Sequence, residues 1–144
     1  MPSRHRSREQ ALQILYLWDM RRQPLDEVVR SFYGSLADEE TKLQPRADPF
    51  AEELARGAVE EIPELDRRIL DHSEHWRLER MSVVDRNILR LAIHELLRRE
   101  TPHPVVIDEA LELARRFSGD QSVPFINGVL DAVRKSLVSQ AASS

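Results

Sequence analysis

The sequence predicts an all-α protein of about seven helices in a single domain covering residues 1–144. Apolar residues recur at intervals of three and four over most of the chain, which is the spacing of one helix face. No window alternates apolar and polar residues over the length of a strand, and the chain has only four glycines. Its 144 residues are enough for one domain with a core of its own.

Apolar stripes mark three helices in the N-terminal half. We expect them from between Ser3 and Ser7 to about Arg22, from about Leu25 to Leu36, and from about Pro49 to Ile62. Pro24 ends the first helix, and Pro63 either starts a short fourth helix or kinks the third. Residues 37–49 have no apolar pattern and predict a loop.

Three further helices are predicted in the C-terminal half. Ser82, with Asp85 three residues later, resembles a capping box and opens the most strongly patterned helix. The other two are expected at about residues 105–117 and 124–137, and Pro124 suits the first turn of the last one. The tail at residues 138–144 should fray.

The pair Asn127-Gly128, one turn into the last predicted helix, is not required by apolar packing. A glycine inside a helix costs about 1 kcal/mol relative to alanine. The pattern therefore favours a position where another group approaches the backbone closely.

Positive charge is concentrated at the N-terminus of a chain whose net charge is −4. Arg4, Arg6 and Arg8 alternate with His5 and Ser7, and we interpret residues 1–8 as a basic arm. Such an arm on a mildly acidic body favours local contact with a polyanion such as RNA. The alternative is an ordinary solvated N-terminus.

Several classes of protein are disfavoured by composition. The absence of cysteine excludes a disulfide framework and a zinc-thiolate site, and it fits the reducing cytoplasm. No apolar run approaches the roughly 20 residues that span a bilayer. No small-residue cleavage site follows the short apolar run after the N-terminal arginines, so no signal peptide is expected.

No pattern indicates an enzyme, a metal site or a cofactor. His72 and His75 are three residues apart, but no third cluster of ligands accompanies them. His94-Glu95 resembles the start of a zinc-protease helix, yet Arg98 stands where that motif needs histidine. The acidic residues Asp108, Glu109 and Glu112 are expected on the outer face of a helix start, where they favour its positive end.

Two aromatic residues have mixed interpretations. Tyr16 and Phe125 fit the core, and either could instead stack on a nucleobase, a contact worth about 1–3 kcal/mol. Position alone favours the core for both.

Several segments together resemble the NusB family of bacterial transcription antitermination factors. They are Arg8–Tyr16 after the basic N-terminus, Asp85–Leu96, Val106–Ala114, and Ser122 followed by Phe125–Leu130. The resemblance covers most of the chain in order, and the C-terminal segments are the most specific.

This resemblance implies two three-helix subdomains that share a core reached by the N-terminal helix. It implies a protein that pairs with the ribosomal protein NusE, binds the boxA sequence of nascent ribosomal RNA, and joins other Nus factors on RNA polymerase to suppress termination. The matching RNA-binding positions are Arg4, Arg6, Arg8, Phe125 and Asn127. The matching partner-binding positions are Tyr16, Asp85 and Arg90.

Departures from the family pattern leave alternatives open. The arm has three alternating arginines where a denser basic run is common, and Asp108 and Val123-Pro124 replace more usual residues. One alternative is the NusB-like RNA-binding module of a ribosomal RNA cytosine methyltransferase. Another is a self-associating helical scaffold, because the apolar arc of the first helix exceeds one core face and a homodimer would cover it.

Overall fold

Seven α-helices form the described part of the chain in a computed structural model, which describes residues 3–35, 48–73 and 78–143. The helices are α1 (Arg4–Arg21), α2 (Leu25–Ser35), α3 (Pro49–Glu60), α4 (Ile62–His72), α5 (Val83–Arg98), α6 (His103–Phe117) and α7 (Ser122–Ser143). A short 3-10 helix, Leu78–Arg80, precedes α5. No strand occurs within these ranges, and the all-α prediction is confirmed.

Side-chain caps explain where three of the helices begin. The side chains of Ser3, Asp48 and Ser82 each accept a hydrogen bond from a backbone N–H in the first turn of α1, α3 and α5. Such a cap satisfies a donor that has no partner inside the helix. The predicted cap at Ser82 is confirmed, whereas the carboxylate of Asp85 is used elsewhere.

The structure decides one helix boundary that the sequence left open and extends another. Pro63 lies in the first turn of α4, so it starts a fourth helix and does not kink α3. The last helix runs to Ser143, so residues 138–143 continue α7 where a frayed tail was expected. Most of the predicted loop at 37–49, together with His75, lies outside the described residues.

Helix α5 lies at the centre of the molecule and packs against α1, α3, α4, α6 and α7. Every residue from Asn87 to Leu96 is buried. On one side α1 also packs on α2 and α3, and on the other α6 and α7 pack on each other. One continuous apolar core therefore joins the two groups, and α1 brings its N-terminus to the start of α3 and the middle of α6.

Candidate functional site

The N-terminal arginines lie in a helix and not in an extended arm. Helix α1 begins at Arg4, and Ser3 Oγ accepts the backbone N–H of Arg6 at 3.2 Å. Arg4 and Arg6 are exposed, whereas Arg8 is only 4% exposed. Arg8 therefore differs from the other two by its burial, although its guanidinium carbon lies 5.8 Å from the centroid of Phe50, the ring that Arg4 also contacts.

Arg8 forms a buried ion pair that links α1 to α5. Its Nε and one terminal nitrogen each donate to a carboxylate oxygen of Glu95 at 2.8 Å. The hydrogen bond with Glu95 raises the pKa of Arg8 further above its ordinary value, although burial opposes the change. This two-pronged geometry occupies the guanidinium and makes Arg8 a structural residue.

Arg4 is held in place while it stays exposed. Its guanidinium carbon lies 3.7 Å from the centroid of the Phe50 ring at the start of α3. A cation over an aromatic face is attracted by the ring, by about 0.5–1 kcal/mol at an exposed site. The contact orients a positive charge at the surface and leaves it free to meet a phosphate.

The first turn of α1 is also tied to the start of α3 through Asp48. Ser7 Oγ donates to Asp48 Oδ2 at 2.6 Å, while Asp48 Oδ1 accepts the backbone N–H groups of Phe50 and Ala51. The backbone N–H of Asp48 in turn donates to the Tyr33 hydroxyl at 2.9 Å. These bonds fix the position of the exposed arginines relative to α3.

The two residues of the C-terminal signature face different surroundings. Phe125 is half-buried against the core and lines a cavity of about 370 Å³ with Asp85 and Ser122. Asn127 is exposed. Residues two apart on a helix do not face each other, so the two side chains point in different directions from α7.

Gly128 is not explained by close packing inside the chain. It lies at the surface of α7, and no described atom comes within 4 Å of a Cβ built on it. The buried residue of this segment is Ile126, which is fully inaccessible to solvent. The close approach to the backbone that the sequence favoured is not found among the described residues, and Asn127 and Gly128 both face outward.

Asp85 joins the start of α5 to the turn between α6 and α7. Its two carboxylate oxygens accept the hydroxyls of Ser118 at 2.6 Å and Ser122 at 2.8 Å. Both oxygens thus have partners inside the chain, and this position holds the turn that leads into α7.

Arg90 is also committed to contacts inside the chain. It is 5% exposed, donates two hydrogen bonds to Asp66 at 2.8 and 2.9 Å, and donates another to Asp19 at 3.0 Å. Burial favours a raised pKa for Asp19, but hydrogen bonds from Asn87 and Arg86 and the charge of Arg90 lower it below its usual value. This network ties α1, α4 and α5 together.

Tyr16 lies on an apolar groove of about 380 Å³. Its side chain is among the exposed large apolar ones, and no charged residue of the described ranges lines the groove. The other lining residues are Leu12, Gln13, Leu17, Phe32, Val84 and Phe117. Arg90 lines a different cavity, so the structure does not bring Tyr16 and Arg90 together.

Three contributors to these surfaces were missed by sequence reasoning. Phe50 under Arg4, Glu95 opposite Arg8, and Phe117 in the Tyr16 groove come from helices far away in sequence. The apolar periodicity of one helix does not tell which residues of a distant helix will contact it. For Arg8, however, a signal existed, since it lies on the same face as Ala11 and Leu12.

The described part of the chain contains neither a metal-binding cluster nor a membrane-spanning helix. No group of three histidine or acidic side chains there is placed to hold a metal ion, and His75 lies outside that part. None of the helices there is long and apolar enough to cross a membrane.

The family model for NusB matches residues 5–135. The chain belongs to the NusB family. The transcription antitermination protein NusB of Solibacter usitatus is 56% identical over 137 residues, which are 95% of this chain and 92% of that protein. Such NusB proteins are non-enzymatic transcription factors, so this chain is not an enzyme.

Solved structures of NusB proteins have the same fold. A structure of T. maritima NusB aligns with a TM-score of 0.78 and 35% identity over 93% of this chain and 92% of that one. A chain from a crystal structure of the antitermination factors NusB and NusE in complex with double-stranded RNA aligns with a TM-score of 0.77 and 29% identity. That alignment covers 94% of this chain and 99% of the other.

Proposed function

We propose that this protein is an RNA-binding antitermination factor that acts with NusE. Together they would hold the boxA sequence of nascent ribosomal RNA and suppress premature termination in the cytoplasm. The observation that carries the proposal is the near-complete alignment with a chain from the NusB–NusE–RNA complex. Other Nus factors and RNA polymerase would join in a larger assembly.

The proposed RNA surface is centred on Arg4 and Arg6. Both are exposed at the start of α1, and the Phe50 ring orients Arg4. Arg8 is left out of this surface because Glu95 occupies its guanidinium. Asn127 and the edge of Phe125 are retained as secondary contacts, since bases in single-stranded RNA are recognised by stacking and edge hydrogen bonds.

The proposed NusE surface is the Tyr16 groove. A half-exposed tyrosine beside an uncharged apolar groove is typical of a protein interface, where tyrosine often contributes much of the affinity. Asp85 and Arg90 support this region from within the fold and do not line the groove. A basic partner would also supply charge that this acidic chain lacks.

A test of the proposal is fluorescence anisotropy with a boxA-like RNA and a scrambled RNA of equal length, each with and without NusE. We expect selective binding of boxA that strengthens when NusE is added. Equal binding of the two RNAs in both conditions would contradict the proposal.

The Tyr16 groove also favours a second candidate, a homodimer that covers this face. In that case sedimentation would show concentration-dependent dimers that NusE dissociates.

A further inference from the structure

His5 bridges two carboxylates at the start of α1. Its Nδ1 lies 2.6 Å from Glu109 Oε2 on α6, and its Nε2 lies 3.0 Å from Glu9 Oε1 on α1. Arg116 of α6 donates to the same Glu9 oxygen at 2.8 Å. The histidine therefore connects the first turn of α1 to α6, with Arg4 and Arg6 on either side of it in the chain.

This geometry favours the protonated imidazolium, in which Nδ1 is hydrogen-bonded to Glu109 and the ring is ion-paired with Glu9. A neutral imidazole has one N–H donor, so one ring nitrogen would present a lone pair to a carboxylate. The imidazolium presents no lone pair to either carboxylate, and its charge is attracted by both. The hydrogen bond with Glu109 accordingly raises the pKa of His5, burial opposes this, and the charges of Glu109 and Glu9 add to it.

The charged groups around His5 nearly balance while it carries a proton. Glu9 and Glu109 are negative, and Arg116 is positive. Arg8 also lies within electrostatic range of Glu109, but its own charge is matched by Glu95. Loss of the proton from His5 leaves this cluster with one net negative charge beside the exposed arginines.

We propose that His5 is a positioning residue that, while protonated, fixes the first turn of α1 on α6 and so makes RNA binding by Arg4 and Arg6 stronger at low than at high pH. The proposal rests on the proposed RNA-binding function. Two effects act in the same direction as pH rises. One contact between His5 and a carboxylate is lost, and negative charge appears near the surface that meets phosphate.

The size of the effect is limited by the other contacts of this turn. The Ser3 cap and the bond from Ser7 to Asp48 hold α1 at every pH considered. The His5 side chain is 42% exposed, and solvent weakens its ion pairs. We therefore expect a loss of RNA affinity of about threefold between pH 6.0 and 8.5, beyond any change shared by all variants.

The test measures binding of the boxA-like RNA by the complex with NusE from pH 6.0 to 8.5 at constant ionic strength. The variants are H5R, which keeps a cation between the carboxylates, and H5Q, which removes it. H103Q is the matched control, because His103 is an exposed histidine at the start of α6. The RNA affinity of each variant is compared with that of the unchanged chain at the same pH, so any effect of titrating groups on NusE cancels.

We expect the ratio of unchanged-chain to H5R affinity to fall about threefold as pH rises. H5Q should bind weakly without this pH dependence, and H103Q should follow the unchanged chain. If the unchanged chain and H5R have parallel profiles, the proposal is overturned while the RNA-binding function stands. If boxA is not selected at pH 6.0, both fail.

An NMR titration of the histidine rings in the protein without RNA provides an independent readout. We expect His5 to titrate at lower pH in the variant E109Q than in the unchanged chain, because the hydrogen bond with Glu109 raises the pKa of His5. If E109Q leaves the titration of His5 unchanged, the bridging role is wrong whatever the RNA data show.

Discussion

The exposed arginines of the first turn and the buried arginines of the core are the same residue type in different roles. Arg4 and Arg6 lie in water at the start of α1, while Arg8 and Arg90 are enclosed and paired with Glu95, Asp66 and Asp19. A guanidinium already held by a carboxylate has little left to offer a phosphate. Burial, more than arginine content, therefore separates the proposed RNA surface from the scaffold that presents it.

Arg8→Ala offers the largest test of this difference. The substitution leaves Glu95 buried without its partner, and removing one member of a buried ion pair typically costs about 3–5 kcal/mol. We expect the free energy of unfolding, measured by urea denaturation, to fall by about that amount.

The double substitution R8M/E95L provides the control, because a well-packed apolar pair often replaces a buried ion pair at little cost. It should recover much of the lost stability. A variant R8A that unfolds like the unchanged chain, yet loses RNA binding, would move Arg8 back to the RNA surface.

Tyr16→Ala tests whether the apolar groove is a partner surface distinct from the arginines. We expect affinity for NusE to fall by about 2 kcal/mol, or roughly 30-fold, because a central tyrosine at an interface often contributes this much. Isothermal titration calorimetry with NusE measures the change.

The matched control is Met20→Ala, which removes an exposed apolar side chain from the same helix outside the groove. It should leave NusE affinity nearly unchanged. Equal losses for the two variants would mean that the groove has no special role.

The contrast between buried and exposed groups extends to histidine. The His94 ring is 1% exposed and packs against Gly57, where an added Cβ would lie 2.5 Å from ring atoms. Its Nδ1 lies 3.3 Å from Glu61 Oε1, but the orientation is not that of a hydrogen bond. Burial lowers the pKa of His94, although the charge of Glu61 opposes this.

Stability should therefore decrease as pH falls below about 6.5, the ordinary histidine pKa. Below that value the unfolded chain binds a proton at His94 that the folded chain does not. The slope of the free energy of unfolding against pH then approaches about 1.4 kcal/mol per pH unit. Urea denaturation at pH 7.0, 6.0 and 5.5 measures this change in the free energy of unfolding. The variant H94Q should have a shallower slope, and an identical slope would contradict a neutral buried His94.

The helices and core were largely predictable because apolar periodicity is local information. Ser82 and Pro63 lie at helix starts for reasons visible within a few residues. Partners such as Glu95 for Arg8 and Asp66 for Arg90 come from tertiary packing, which no local pattern encodes.

The candidate site was predictable in part. Arg8 shares a helix face with Ala11 and Leu12, so its burial follows once α1 is known to begin at Arg4. The close backbone approach expected at Asn127 and Gly128 is not found among the described residues, where both face outward. The groove at Tyr16 is lined by residues from four helices, so no local pattern predicts it.

The most direct test of the division between exposed and buried arginines is the salt dependence of boxA binding by the complex with NusE. Neutralising one phosphate of single-stranded RNA contributes about 0.7 to the slope of log affinity against log salt. We predict that R4A/R6A lowers the slope by about 1.4 and the free energy of unfolding by no more than about 1 kcal/mol, whereas the control R21A/R30A, which removes two exposed arginines elsewhere, leaves the slope unchanged. Equal slopes for both double variants would contradict the assignment of Arg4 and Arg6 to the RNA surface.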